Sequence, residues 1–103
     1  MARVVKWTNA AWADLSAVAD HIARDSDYYA ASFVREVRDA ARSLRHFAER
    51  GNTVPELEDP AVRELYIRQY RLIYQVGKKQ VFILGFIHGA RDLAALWKKK
   101  RPK

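Results

Sequence analysis

Three runs of β-forming residues follow one another between residues 62 and 88, in the sequence VRELYIRQYRLIYQVGKKQVFILGFIH. The runs extend from Val62 to Arg68, from Tyr70 to Val76 and from Gln80 to His88, with links of one and three residues. Links this short allow only antiparallel hairpins. The stretch therefore predicts a three-stranded antiparallel meander. Because residues 81–87 are apolar on both faces, we expect the last strand to be central and covered on both sides.

The chain before the meander predicts a short strand and two helices. Residues 4–7 are β-like, and Thr8 or Asn9 can cap a helix. Apolar residues recur at helical spacing in two stripes separated by Asp25-Ser26-Asp27. The stripes are Ala11, Leu15, Val18 and Ile22, then Tyr29, Phe33, Val37, Ala41 and Leu44, extended by Phe47. The short link predicts an antiparallel helix hairpin, followed by a loop at residues 50–55. The expected class is α+β, an N-terminal strand and helix hairpin on the three-stranded meander.

Length and composition indicate one domain. The chain has 103 residues, of which 50% are hydrophobic and 30% charged, and a second core would leave both halves too small. We expect a single domain over residues 1–97, with one or two helical turns within Ala90 to Trp97. Residues 98–103, KKKRPK, form a basic tail that is either solvated or in contact with nucleic acid.

Charge and composition narrow the function classes. Nineteen Lys and Arg against twelve Asp and Glu give a net charge of +7, which favours polyanions or acidic proteins as partners. The chain has no cysteine, no apolar run of the ~20 residues that a membrane span needs, and no secretion-type N-terminus. The cytoplasm is therefore the expected compartment. Gly-rich phosphate loops and serine elbows are absent, and His21 and His46 lack ligand partners at metal-binding spacing. No cofactor or metal is expected.

Arginines on and beside the meander are the candidate site residues. Arg71 lies on the middle strand, Arg63 lies one strand back, and Arg91 follows the last strand just beyond His88. Neighbouring strand ends could bring these four side chains together. Guanidinium groups offer a fixed fork of donors to phosphate oxygens, so such a cluster would suit a phosphate site.

Each of these residues also has a structural interpretation. The arginines could pair with nearby acids such as Glu64 or Asp92, or lie in water, since surface ion pairs are common. His88 could act as a general acid or base because imidazole titrates near neutral pH, or it could be a structural residue after an apolar strand. Spacing alone does not choose between these interpretations.

Aromatic residues cluster around the predicted hairpin. Trp12, Tyr29 and Phe33 lie there, and Trp97 belongs to a second apolar patch near the C-terminus. Aromatics at helical spacing are mostly core residues. An excess of them would leave an apolar groove for a partner helix.

The order of these motifs resembles the RelE/ParE superfamily of bacterial type II toxins. The resemblance covers residues 4–93, and the combined set of motifs carries it. Its pieces are Val5-Lys6-Trp7-Thr8 with Ala11 and Asp14-Leu15, Tyr29-Ala30 with Phe33-Val34, Arg50-Gly51 with Val54-Pro55-Glu56, Val62-Arg63-Glu64-Leu65, Tyr70-Arg71-Leu72-Ile73-Tyr74, and Ile83-Leu84 with His88-Gly89-Ala90-Arg91-Asp92-Leu93. It implies a helix hairpin packed on a small antiparallel sheet.

The resemblance implies one of two activities. RelE-like members cut mRNA on the ribosome without a metal, and Arg71 and Arg91 match arginines that hold the phosphate in those enzymes. ParE-like members poison DNA gyrase and are not known as nucleases. The catalytic lysines of the RelE branch are absent here, since no lysine occurs between Lys6 and Lys78. Arg63 stands near one such position, but guanidinium is a poor base.

The favoured hypothesis is therefore a ParE-like toxin that inhibits growth through DNA gyrase and catalyses no reaction itself. The alternatives are a RelE-like endoribonuclease, in which His88 moves a proton, and a non-toxic basic module that binds nucleic acid. The resemblance also implies a cognate antitoxin, acidic and partly disordered when free, that forms a hetero-oligomer with the toxin. Its expected contacts are the aromatic residues Trp12, Tyr29, Phe33 and Trp97.

Overall fold

The predicted meander forms the centre of a larger sheet. The structure, a computed structural model, describes residues 2–91 and residue 93. Within this part of the chain, two helices pack on one face of a five-stranded sheet. In chain order the elements are β1 (Val4–Trp7), α1 (Asn9–Ala23), α2 (Asp27–Ser43), β2 (Asn52–Thr53), β3 (Val62–Ile67), β4 (Tyr70–Val76) and β5 (Gln80–His88). The predicted α+β class is confirmed. Most of the predicted segment Ala90 to Trp97 and the whole basic tail lie outside the described residues.

Two further strands flank the meander in the order β1-β5-β4-β3-β2. β1 runs parallel to β5, with Val4 opposite Gln80 and Trp7 opposite Ile83. β2 pairs antiparallel with β3 inside a segment predicted as loop; two exposed residues are too short to show a strand pattern. β5 therefore lies between two neighbours, as predicted, but its second face is only partly covered because Phe82 is 36% exposed.

Both helices begin at residues whose side chains cap them. Thr8 Oγ1 accepts a hydrogen bond from the Ala11 amide at 3.1 Å, and Ser26 Oγ accepts one from the Tyr29 amide at 3.1 Å. These bonds satisfy amides that the helix itself leaves without partners. Only residues 24–26 separate the helices, so the predicted antiparallel hairpin is confirmed.

The prediction that Tyr29 and Phe47 belong to the apolar stripe of α2 is wrong. The buried residues of this helix are Ala30, Phe33, Val37 and Ala41. Tyr29 is 65% exposed, because the buried stripe begins one residue later. Phe47 is 66% exposed, because α2 ends at Ser43 and the chain turns before reaching it.

The sheet separates two apolar clusters. The helix-facing cluster contains Leu72, Tyr74, Val81, Ile83 and Phe86 from the sheet, with residues of both helices. The opposite cluster contains Val54, Val62, Ile73 and Leu93, with Leu57, Leu84 and Ile87 packed against it. This second face is covered by loop residues between β2 and β3 and by Leu93, so the loop contributes to the core.

A carboxylate of α1 joins the helix hairpin to an irregular point of the sheet. The pairing of β4 with β5 shifts between Ile73 and Tyr74, which lie opposite Gly85 and Ile83. Beside this bulge, Asp14 Oδ2 accepts a hydrogen bond from the Phe86 amide at 3.1 Å. The side chain thus satisfies a backbone donor that the helix-facing side of β5 presents.

Tyr74 fixes the loop that leaves α2. Its hydroxyl donates to the Ala48 carbonyl at 2.8 Å and accepts from the Gly51 amide at 3.0 Å. Burial raises the pKa of Tyr74, so the phenol stays protonated and can donate. A Cβ on residue 51 would lie 2.5 Å from the Tyr74 oxygen, and this close approach requires glycine.

We expect Tyr74→Phe to lower the free energy of unfolding by about 1–3 kcal/mol, because a buried amide and a buried carbonyl lose their partner. Urea denaturation measures this change. Tyr66→Phe is the matched control, since Tyr66 is 57% exposed and its hydroxyl can bond to water. Equal stability of the two variants would contradict the assignment.

Candidate functional site

Arg71 is buried between two carboxylates on the face of the sheet away from the helices. Its side chain is 4% exposed. Arg71 Nε donates to Glu64 Oε1 at 2.6 Å, and its Nη1 and Nη2 donate to the two oxygens of Glu56 at 2.9 and 2.8 Å. Three of the five guanidinium donors are therefore satisfied by carboxylates. We call Arg71, Glu56 and Glu64 the Arg71 cluster.

The local fold explains the Arg71 cluster. Glu64 and Arg71 lie on adjacent strands, because Glu64 is opposite Ile73, two residues from Arg71 on the same face. Glu56 reaches the pair from the loop after β2. Hydrogen bonds from Arg71 hold the pKa of Glu56 below its ordinary value of 4.5, and the bonds to Glu56 raise the pKa of Arg71 in turn. The charged forms of Glu56 and Arg71 are thereby favoured.

Arg63 lies on the opposite face of the sheet. It is paired with Tyr74, on the helix-facing side, and its Nη1 donates to the Gly51 carbonyl at 2.7 Å and to the Glu49 carbonyl at 3.4 Å. These carbonyls belong to the loop that Tyr74 also holds. Arg63 thus fixes the backbone of this loop, and the sheet separates it from Arg71.

His88 is the exposed last residue of β5, and Arg91 lies in the turn that follows it. The Arg91 amide donates to the His88 carbonyl at 3.0 Å. His88 Nδ1 accepts from the Ala90 amide at 3.2 Å, and its Nε2 lies 3.4 Å from Gln69 Oε1. A neutral ring with its proton on Nε2 satisfies both contacts. The ring also meets Tyr70 edge-on, with centroids 5.6 Å apart.

The structure thus divides the four candidate site residues, the three arginines and His88, among three places. His88 lies opposite Tyr70 and Arg63 opposite Tyr74, four residues or about 13 Å apart along β4. Arg71 faces the other side of the sheet. The structural interpretation, in which an arginine pairs with a nearby acid such as Glu64, holds for Arg71. The other acid named there, Asp92, lies outside the described residues. Glu56 was missed as a partner because its loop position carries no periodic signal.

The aromatic residues predicted to bind a partner are placed differently from one another. Trp12 is 46% exposed and Tyr29 is 65% exposed. Phe33 is buried in the core, with its ring 5.6 Å from that of Tyr70. Trp97 lies outside the described residues.

The described residues contain neither a metal site nor a helix suited to a membrane. No group of three His, Asp or Glu side chains in this part of the chain is placed to hold a metal ion. No helix described by the structure has the length and apolarity to cross a bilayer.

The two-helix hairpin packed on this sheet is the fold that the resemblance to the RelE/ParE toxins implies. The model of the family described as "ParE toxin of type II toxin-antitoxin system, parDE" matches residues 5–93. The chain therefore belongs to the ParE toxin family and is the toxin of a type II toxin–antitoxin system. This confirms the RelE/ParE resemblance.

The individual relatives carry both RelE-type and ParE-type names. Toxin RelE2 of Caulobacter vibrioides is 37% identical over 92 residues, which cover 88% of this chain and 99% of the relative. The chromosomal ParDE toxin–antitoxin system from P. aeruginosa contains a chain with a TM-score of 0.69 and 28% identity, over 84% of this chain and 95% of that one. The toxin–antitoxin complex RelBE2 from Mycobacterium tuberculosis shares the fold, with a TM-score of 0.57 and 21% identity over 85% and 99% of the chains.

We expect Arg71→Ala to lower the free energy of unfolding by about 3–5 kcal/mol, because it leaves the buried Glu64 without its positive partner. Arg42→Ala, which removes an exposed ion pair with Asp39, should change stability by less than about 1 kcal/mol. Denaturation curves of both variants test this difference. A change below 1 kcal/mol for Arg71→Ala would show that the Arg71 cluster does not hold the fold.

Proposed function

We propose that this toxin inhibits growth by binding DNA gyrase and that it does not cut mRNA. The observation that supports this proposal is the placement of Arg71. A phosphate site needs free guanidinium donors that converge on one point. In this chain, carboxylates already bind three of the guanidinium donors of Arg71, and Arg63 lies on the opposite face of the sheet. Only His88 and Arg91 share a surface.

The available proton-transfer groups also favour a toxin without nuclease chemistry. Phosphodiester cleavage needs a group that removes a proton from the attacking oxygen. Arg63 is a poor candidate because a guanidinium is a poor base. One ring nitrogen of His88, Nδ1, is already engaged by the Ala90 amide at 3.2 Å. The catalytic lysines of the RelE branch also have no counterpart, because no lysine occurs from residue 7 to residue 77.

The RelE-like alternative rests on the turn that carries His88 and Arg91. This segment is exposed and carries both an imidazole and a guanidinium, so it could meet one phosphate of a bound strand. In that case His88 would move the proton and Arg91 would bind the phosphate. Membership of a toxin family argues against the third hypothesis, the non-toxic module.

We expect purified toxin to inhibit supercoiling by DNA gyrase and to leave ribosome-bound mRNA intact. His88→Ala should inhibit supercoiling within about twofold of the unmodified toxin, because the side chain would take part in no proton transfer. If the toxin were instead a ribonuclease that uses His88, the same variant should cleave RNA about 10²–10⁴-fold more slowly. The RelE-like proposal would replace this one if the unmodified toxin cut transcripts, if His88→Ala abolished that cleavage, and if the toxin left supercoiling unaffected.

We further propose that an antitoxin with an acidic segment, disordered when free, neutralises this toxin. The solved relatives are described as a toxin–antitoxin system and a toxin–antitoxin complex, and the +7 charge suits an acidic partner. Trp12 and Tyr29 offer exposed aromatic anchors, whereas the buried Phe33 does not. They lie in the first turns of antiparallel helices, at opposite ends of a hairpin about 22 Å long. A segment that contacts both must run along the hairpin.

We expect Trp12→Ala and Tyr29→Ala each to weaken antitoxin binding about 30-fold, the effect of losing an aromatic anchor worth ~2 kcal/mol. Calorimetric titration of toxin with antitoxin measures this loss. Tyr66→Ala is the control, since Tyr66 is also an exposed aromatic but projects from β3 on the face away from the helices. An equal loss for Tyr66→Ala would exclude the hairpin as the specific surface.

A further inference from the structure

The outer face of α2 carries a row of exposed arginines. Arg35, Arg38 and Arg42 are spaced three and four residues apart, so their side chains leave the helix on one side. The buried stripe of Ala30, Phe33, Val37 and Ala41 lies on the other side. The three residues extend over about 10 Å of helix. We call them the arginine row.

The acidic groups around the arginine row leave it positively charged. Asp39 contacts Arg42 at 3.1 Å, but both side chains are more than 60% exposed, and an ion pair in water is weak and readily exchanged for another anion. Glu36 is paired with Arg68 of the β3–β4 turn at 2.9 Å. A fourth exposed arginine, Arg45, follows in the turn after the helix.

We propose that the arginine row binds the phosphate backbone of double-stranded DNA. One strand of a duplex presents a phosphate about every 3.4 Å along its axis. The 10 Å row therefore faces about three phosphates of one strand. Arginine suits this contact because its fork of donors matches phosphate oxygens. The inference does not depend on which target the toxin inhibits.

Duplex DNA fits the surface better than a single strand does. Proteins that hold single strands stack bases on free aromatic rings. Trp12 is the aromatic residue beside the row, and the guanidinium of Arg38 lies over its ring, 5.9 Å from the centroid. Trp7 meets the same ring edge-on at 5.5 Å. The guanidinium of Arg38 thus already occupies a stacking position on Trp12, and the row itself consists of arginines, so we expect it to contact backbone and not bases.

The test is the salt dependence of binding to a 20-base-pair duplex of arbitrary sequence, in the absence of gyrase. The logarithm of affinity falls against the logarithm of salt concentration with a slope of about −0.9 for each phosphate contacted. The triple variant Arg35→Gln, Arg38→Gln, Arg42→Gln should therefore bind with a slope less steep by about 2.7. Between 50 and 200 mM salt, this corresponds to about a 40-fold smaller loss of affinity.

The matched control removes the same charge elsewhere. Lys6→Gln, Lys78→Gln, Lys79→Gln also lowers the net charge by three, at exposed positions on β1 and in the β4–β5 turn. Its slope should change by less than about 1. Equal slopes for the two triple variants would overturn the proposal, because binding would then follow the net charge alone. Thermal unfolding of both variants confirms that these exposed changes leave the fold intact.

Two further ligands separate duplex DNA from other polyanions. A single-stranded oligonucleotide should bind more weakly than the duplex, and its affinity should depend less on the arginine row. Polyglutamate should compete poorly at equal charge concentration. Two results together would show that the proposal is wrong and that the row is a site for acidic polypeptide. Polyglutamate would displace the duplex from the unmodified toxin, and the triple arginine variant would lose as much affinity for polyglutamate as for DNA.

Discussion

The buried guanidinium of Arg71 is the constraint around which the second face of the sheet is organised. An arginine cannot lose its proton inside a protein, so burying it requires negative partners with good geometry. Glu64 supplies one from the adjacent strand, and Glu56 supplies the other from the loop. The loop must therefore close over the sheet for the charge to be neutralised. That closure also brings Val54 against Val62 and Ile73, so the ionic and apolar parts of this face form together.

The pattern of the sequence predicted the elements well where they are long and periodic. The meander strands match the observed bounds to within one residue, and Thr8 and Ser26 cap the helices as side chains of their type do. The errors fall where periodicity ends. Tyr29 lies in the first turn of α2 and Phe47 lies four residues beyond its last residue, so the direction of each ring depends on where the helix begins and ends. Sequence spacing cannot resolve that difference.

The candidate site was less predictable than the fold, for a physical reason. An arginine that binds phosphate and an arginine that binds carboxylate are the same residue in the same strand position, and the partner alone distinguishes them. The partner of Arg71 comes partly from a loop fifteen residues away, where no periodic rule applies. The face occupied by each arginine did follow from the two-residue period once the strand register was known, and it placed Arg63 and Arg71 on opposite sides.

The pairing of β1 with β5 has a consequence for the synthesis of the chain. β1 is made first, yet its partner residues 80–83 are among the last described residues to leave the ribosome. At about 5–20 residues per second, the N-terminal strand waits some 4–15 seconds for its neighbour. Local contacts can form the helix hairpin during that interval. The sheet, however, lacks the strand that joins β1 to β4 until β5 emerges. The sheet therefore becomes complete later than the helix hairpin, whose residues all lie between β1 and β5 in the chain.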